Sequence, residues 1–151
     1  MPSLSEILGK ILYVDLSRSQ IQTQPIDEQL AYDYIGGWGI SNWLAYHMIT
    51  PETEPISAEN PIIFAGGLLG GTLAPASSKF MATTKFPITR TVGTAVGGSG
   101  GDALRQAGYS QVVVTGKADS PKVIRIFDDE VFLEDASWLW GKDIAEVQDT
   151  V

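Results

Sequence analysis

Cysteine is absent from this 151-residue sequence. Its absence excludes disulfides, thiolate zinc sites, a cysteine nucleophile and any iron–sulfur cluster ligated from within the chain. Histidine is nearly absent as well: His47 is the only one, and no serine and acid accompany it in a triad-like pattern. No uninterrupted apolar run approaches the ~20 residues of a membrane-spanning helix. The start, Met1-Pro2-Ser3-Leu4-Ser5-Glu6, lacks the basic and apolar regions of a signal peptide. Positive charge is scarce too, with 10 Lys and Arg against 18 Asp and Glu, a net charge of −8. That balance argues against nucleic acid as a partner. Neither a membrane nor a nucleic-acid partner is expected, and a cytoplasmic location is.

What is present describes one globular domain over residues 1–151, with 44% hydrophobic and 19% charged residues. The charge is uneven. Residues 62–118 carry Lys79, Lys85, Arg90, Arg105 and Lys117 against Asp102 alone, a net +4 that leaves −12 on the remainder. The same stretch holds 11 of the 16 glycines. Glycine lets backbone N–H groups approach a ligand closely, and scattered cations suit an anionic one.

The periodicity predicts an α+β fold, mostly antiparallel strands with three or four short helices. Ile11–Leu16 and Ile21–Gln24 read as a hairpin closed by Pro25. Asp27 caps a helix over residues 28–35, stopped by Gly36-Gly37. A second helix over 40–49 aligns Ile40, Trp43, Leu44, His47 and Met48 on one face. Residues 50–61 form a surface loop. Strands are expected at Ile62–Ala65, Lys79–Phe86 and Val112–Val114, and a second hairpin pairs Val123–Phe127 with Val131–Leu133. Residues 93–101 carry too much glycine for a regular strand or helix interior. A short helix, Asp102–Ala107, ends at Gly108, and a last one starts near Asp143.

The strongest local pattern is Gly97-Gly98-Ser99-Gly100-Gly101-Asp102. Its amides, with the helix that follows, either cradle an anion or make tight turns and close backbone packing, with Asp102 as the cap. It is not a nucleotide P-loop, since no Gly-Lys-Ser or Gly-Lys-Thr follows. Lys79 comes directly after Ala76-Ser77-Ser78, small residues that leave room for a ligand beside it. Lys85 reads as part of a solvated strand face. His47 reads as a packed, hydrogen-bonded residue. Trp38, Trp43, Trp138 and Trp140 read as core or subunit contacts. The acids Asp128, Asp129, Glu130, Glu134 and Asp135 fit a hairpin turn and its flank, without calcium-loop spacing.

In its order of segments, the chain resembles the N-terminal domain of the aldehyde ferredoxin oxidoreductase family. The resemblance runs through Gly9-Lys10-Ile11-Leu12-Tyr13-Val14-Asp15-Leu16, Tyr34-Ile35-Gly36-Gly37-Trp38-Gly39, Pro55–Asn60 and Ile63–Pro75. It continues through Ala107-Gly108-Tyr109, Thr115-Gly116-Lys117-Ala118 and Asp135-Ala136-Ser137-Trp138-Leu139-Trp140-Gly141-Lys142. It implies a tungstopterin or molybdopterin (bis-pterin) cofactor, held with magnesium on backbone and basic side chains of this domain. The implied cofactor-binding residues are Lys79, Ala95, Val96, Gly97, Gly98 and Ser99, with the Val96 backbone carbonyl serving the magnesium. No catalytic side chain is expected. The family arginine falls on Lys79 and the family asparagine on Val96, while Trp38 stands where the family often has arginine. Lys79 keeps the charge without the planar bidentate fork.

The resemblance further implies oxidation of aldehyde and water to carboxylate, with electrons leaving through a 4Fe-4S cluster to ferredoxin. The cluster ligands and the reacting side chains would lie outside this chain. A truncated chain, a split-gene subunit or a degraded reading frame is therefore expected, inactive alone and partnered by the remaining domains or subunits. The alternative is a non-catalytic scaffold that kept the fold and self-associates, a possible homo-oligomer; a third reading is a small-anion binder built on Gly97–Gly101 alone.

Overall fold

The computed structural model describes residues 7–150. Strand β1 (Lys10–Asp15) turns into β2 (Gln20–Pro25) with Ile11 opposite Gln24 and Val14 opposite Ile21, the expected hairpin. Helix α1 (Glu28–Tyr34) begins where the Asp27 carboxylate accepts the Leu30 N–H at 3.0 Å, the expected cap. The chain then doubles back within three residues. Ile35 takes φ 67° and Gly36 caps helix α2 (Gly37–Met48), which starts three residues before the expected Ile40. The Gly-Gly pair therefore both ends one helix and starts the next. The turn is so tight that a Cβ on Gly39 would lie 2.0 Å from the Tyr34 carbonyl oxygen.

After the loop of residues 50–61 come β3 (Ile62–Gly66), β4 (Phe80–Lys85), β5 (Val92–Gly97), helix α3 (Gly100–Gln106) and β6 (Tyr109–Thr115). The hairpin β7 (Lys122–Phe127) and β8 (Glu130–Asp135) follows, then a 3-10 turn at Ser137–Leu139 and helix α4 (Ile144–Thr150). Six strands form one sheet in the order β2-β1-β6-β3-β4-β5, while β7 and β8 make a second, two-stranded sheet. Every pairing is antiparallel except β1 with β6. The expected α+β class, with antiparallel pairing dominant and three or four short helices, matches this architecture, whose elements among the described residues include four α-helices.

Two cores lie on opposite faces of the sheet. Ile11, Ile63 and Val113 pack against Ile40, Leu44 and Ala45 of α2. On the other face, Leu12, Val14 and Val112 pack with Leu104 of α3 and with Ile124, Ile126, Val131 and Leu133 of the small hairpin. Each such fully buried aliphatic side chain contributes roughly 1.5–3 kcal/mol.

Several expectations are corrected. Residues 92–97 are a strand despite two glycines, because β4 supplies a full antiparallel ladder from Lys85 opposite Val92 to Phe80 opposite Gly97. Helix α3 starts at Gly100 rather than Asp102. The buried face of α2 is Gly37, Ile40, Ser41, Leu44 and Ala45, rotated from the expected stripe. Its small residues let the helix lie close to the sheet. Ser41 is tolerated there because its hydroxyl donates to the Gly37 carbonyl at 2.9 Å and to Gln111 Oε1 at 2.8 Å. His47 is consequently exposed, its ring 4.3 Å from that of Trp43 and its Nδ1 2.8 Å from the Trp43 carbonyl oxygen. Of the tryptophans expected as core or subunit contacts, Trp43 packs against a core, while Trp38, Trp138 and Trp140 are exposed and not core.

Lys85 is the clearest reversal. It is 5% exposed, and its ammonium donates to the carbonyls of Thr50, at 3.3 Å, and Pro51, at 2.7 Å. A strand face that the charge pattern marks as solvated is covered by the 50–61 loop, which Asn60 also ties to the Lys85 carbonyl at 3.0 Å.

Candidate functional site

The fold carries the glycines of four segments to one end of the sheet. Gly66 ends β3 opposite Phe80, which stands opposite Gly97 at the end of β5. Gly108 precedes β6 at the same end, and the α2 start at Gly37 packs on Gly66 and Gly67. Lys79 immediately precedes Phe80 and so sits one residue beyond the Phe80–Gly97 pair, its carbonyl oxygen 2.6 Å from a Cβ position on Gly101. Residues 79 and 95–99, distant in sequence, are thereby brought together as expected.

Close backbone packing explains part of the glycine content. A Cβ on Gly101 would lie 2.6 Å from the Lys79 carbonyl oxygen, one on Gly66 2.7 Å from the Gly101 carbonyl oxygen, and one on Gly37 3.2 Å from Gly67 Cα. These positions require glycine because three backbone segments touch. Gly97 and Gly98 are different. A Cβ at either would meet nothing within 4 Å, and Gly98 adds φ 58°, which favours glycine at the turn. Packing imposes no such demand on Gly97, so the space beside it is open to a ligand.

Strand β5 is the edge of the sheet. The Phe86 N–H donates to the Thr91 carbonyl at 3.0 Å, which closes the β4–β5 hairpin with a hydrogen-bonded pair. Antiparallel pairs alternate between hydrogen-bonded and non-hydrogen-bonded. Counting along the ladder, Gly93, Ala95 and Gly97 bond to β4, while Val92, Thr94 and Val96 turn their N–H and C=O groups outward. The contact of Thr83 Oγ1 with Thr94 Oγ1, 2.8 Å, fits a non-hydrogen-bonded pair, where side chains approach closely. The Val96 carbonyl thus points away from the sheet, and Val96 is 59% exposed. Ala95 and Ser99 are exposed too.

The five cations of the middle stretch do not converge. Lys85 is buried at the opposite end of β4. Arg90 forms an ion pair with Glu54 at 2.8 Å. Lys117 follows β6 at that same far end, beside Leu16 and Trp140 in an apolar groove of about 870 Å³. Arg105 runs beneath the glycine loops, its Cγ 3.0 Å from a Gly66 Cβ position, and its guanidinium donates to the Leu8 carbonyl at 2.9 Å and to Ser110 Oγ. Burial pushes the pKa of Arg105 down. Arg90, Lys117 and Lys79 are exposed, but of these only Lys79 lies at the end of the sheet with the open glycines, outside the ion pairs of the described residues. Summed charge therefore overstated the site, and one lysine carries it.

The loop that presents Lys79 is held by its own polar groups. Ser77 Oγ donates to the Leu69 and Ala74 carbonyls, both at 2.9 Å, and the Gly70 N–H to the Gly67 carbonyl at 2.9 Å. Asp102 does not cap α3 as expected. Its carboxylate accepts the Gly71 N–H at 2.8 Å, fastening the loop to the helix, and Ser99 is the residue before α3. With α3 only seven residues long, the groups that could meet an anion at this end are Lys79 and the outward backbone. The outward groups of Val92 and Thr94 escaped the sequence reading because residues 93–101 were not expected to form a strand. The alternation Val92, Thr94, Val96 was the signal for it.

Among the described residues, no group of three or more His, Asp or Glu side chains could hold a metal ion, and no helix is long and apolar enough to cross a membrane. A cation at this end would be held by backbone oxygen and by a ligand's own anionic groups.

Comparison with known proteins follows the same outline. The family model for the aldehyde ferredoxin oxidoreductase N-terminal domain matches residues 11–151. The tungsten-containing aldehyde ferredoxin oxidoreductase of Pyrococcus furiosus is 38% identical over 144 residues, covering 95% of this chain and 24% of that protein. The enzyme of the same name from Pyrococcus horikoshii is 39% identical, covering 93% of this chain and 23% of its own length. Among solved structures, the active-site complex BamBC of benzoyl-coenzyme A reductase with 1,5-dienoyl-CoA superposes with a TM-score of 0.92. It is 33% identical and covers 97% of this chain and 22% of that one. The chain spans about a quarter of the length of the curated relatives it matches.

Proposed function

This chain belongs to the aldehyde ferredoxin oxidoreductase family, and on that premise we propose that it is a single pterin-binding domain holding the phosphate end of a tungstopterin or molybdopterin bis-pterin cofactor. The tungsten named for its relatives favours tungstopterin. The reading is carried by one observation: at the glycine end of the sheet an exposed Lys79, in no ion pair among the described residues, sits one residue beyond the pair of Phe80 with open Gly97, near the outward carbonyl of Val96.

That donor set fits phosphate and magnesium. Lys79 supplies a point charge with three donors, and the fixed loop behind it holds the backbone from which the side chain reaches. The Val96 carbonyl supplies a hard oxygen, the kind of ligand magnesium takes together with phosphate oxygens. Gly97 and Gly98 leave the room a phosphate needs, and Ala95 and Ser99 flank it. When bound, the cofactor supplies the metal at which an aldehyde and water become a carboxylate. This domain contributes no catalytic side chain; it positions the cofactor and neutralises part of its charge.

For the whole protein we propose an oxidoreductase whose remaining domains or subunits hold a 4Fe-4S cluster and deliver electrons to ferredoxin in the cytoplasm. The substrate is set outside this domain, since chains 38% and 33% identical to it belong to an aldehyde-named enzyme and to a benzoyl-coenzyme A reductase complex. Nothing in the fold favours a non-catalytic scaffold over this reading. The test is calorimetry of the chain with magnesium and isolated molybdopterin. Lys79→Ala should weaken binding about tenfold or more, the loss of one charge-assisted hydrogen bond. Binding unaffected by that change would overturn the reading.

A further inference from the structure

Ser41 of α2 and Gln111 of β6 are fully buried between the helix and the sheet. This domain alone encloses them, so their burial stands whatever else packs against it. Gln111 Nε2 donates to the Gly37 carbonyl at 3.1 Å, and Ser41 Oγ lies 2.8 Å from Gln111 Oε1 and 2.9 Å from that same carbonyl. A hydroxyl has one proton to give. Given to Gln111 Oε1, it closes a ring in which the amide nitrogen, the amide oxygen and the hydroxyl all have partners. Turning the amide over would set two carbonyl oxygens against each other. The ring therefore holds one arrangement.

Apolar residues of the same shape would serve the core as well, and Ile11, Ile40, Leu44, Ile63 and Val113 do so in the same layer. What a satisfied polar ring adds is a fixed relative position. Here it joins the first turn of α2 to β6, on a row that crosses the sheet to the glycine end. Gln111 stands opposite Ala65 of β3, Ala65 opposite Met81 of β4, and Met81 opposite Val96 of β5. Residues directly opposite one another share a face of the sheet. The row thus leads from Gln111, under the start of α2 at Met81, to Val96. Gly37, whose carbonyl the ring holds, closes the path: a Cβ there would lie 2.9 Å from the Met81 methyl and 3.2 Å from Gly67 Cα. Close packing keeps the helix start from moving in, and the ring keeps it from lifting away.

We infer that Gln111 is a positioning residue for the ligand end of the sheet. Through Ser41 and the Gly37 carbonyl it sets the height of α2 over Gly67 and Met81, and so the place of Val96 beside Met81 and of Lys79 two residues before it. What that end binds rests on the cofactor reading; where its groups stand does not.

The test is Gln111→Glu, which keeps the shape and makes the donor depend on pH. Protonated, the introduced carboxyl gives its O–H to the Gly37 carbonyl and accepts from Ser41; ionised, it has no proton for that carbonyl. The residues facing it, Ile11, Ala65, Gly37 and Ser41, carry no charge. Burial therefore raises its pKa, and the change falls between about pH 5.5 and about pH 8.5. In the 151-residue chain, the NMR contacts of Gly37 with the Met81 methyl and with Gly67 should match the parent's at the lower pH and be lost at the higher. Calorimetry with magnesium and isolated molybdopterin, each time against the parent at the same pH, should give parent affinity at the lower pH and a loss of about tenfold or more at the higher. A residue that only stabilised the core would lower the urea midpoint and leave the folded chain's contacts and affinity unchanged. That result overturns the inference, as does displacement without loss of affinity. Should the variant not stay folded at the higher pH, by circular dichroism, the double variant Ser41→Ala/Gln111→Met, apolar and of similar volume, decides on the same two readouts. A parent chain that binds no molybdopterin strikes the cofactor reading alone, and the Gly37 contacts still decide the positioning.

Discussion

Two groups of glycines lie within one end of this sheet and do opposite things. Gly39, Gly66 and Gly101 are small because backbone presses on them: a Cβ would come within 2.0–2.7 Å of a carbonyl oxygen at each, and one on Gly37 would lie 2.9 Å from the Met81 methyl and 3.2 Å from Gly67 Cα. Gly97 and Gly98 face space in which a Cβ meets nothing within 4 Å. The first group builds the floor of the site, and the second leaves the opening. A glycine-rich stretch is therefore no single signal. The same residue type reports packing at one position and open space a few residues away, and only the neighbours tell the two apart.

The contrast is most exposed to failure at its packed end. Gly101→Ala forces a methyl against the Lys79 carbonyl and should cost about 3 kcal/mol or prevent folding, measured by urea unfolding. At Gly98 the space is free but φ is 58°, so Gly98→Ala should cost about 1 kcal/mol through backbone strain alone. Gly97→Ala should reverse the sign and raise stability by about 0.5 kcal/mol, since an unstrained alanine loses less entropy on folding. If Gly97→Ala destabilised as much as Gly101→Ala, the division into two groups would collapse.

Acid should move neither group and gives the smallest effect. Glu54, Asp129 and Asp135 are held below their ordinary values by hydrogen bonds from Arg90, Lys10 and Ser137 respectively, with the two cations adding charge attraction. Their folded pKa values are depressed, so the stability they add is complete above the ordinary 4.5 of Glu and 3.8 of Asp and is lost as pH falls through the lowered values. All three are exposed, so the urea midpoint should decline only slightly on going to about pH 3, and less in high salt.

Local signals in the sequence were enough for the hairpins, the Asp27 cap and the stop at Gly36, because each depends on neighbours along the chain. The rotation of α2 was not legible: it follows from Ser41 finding Gln111, 70 residues away. Nor was the fate of the cations. Lys85 is buried because the 50–61 loop folds over it, and Arg105 is tied to carbonyls near the start of the chain. Strand β5 was hidden by its glycines, whose propensity a complete ladder with β4 overrides. Lys79 and residues 95–99 were expected from family resemblance; the register of β4 with β5 supplies the physical reason for their proximity.

The most direct test of the central claim is paired measurement on Lys79→Ala: urea unfolding, and calorimetric titration with magnesium and isolated molybdopterin. An exposed lysine serving a ligand rather than the fold should leave the unfolding free energy within about 0.5 kcal/mol of the parent and weaken binding about tenfold or more. Binding at the parent affinity, or a loss of binding that merely tracks a loss of folded protein, would contradict it.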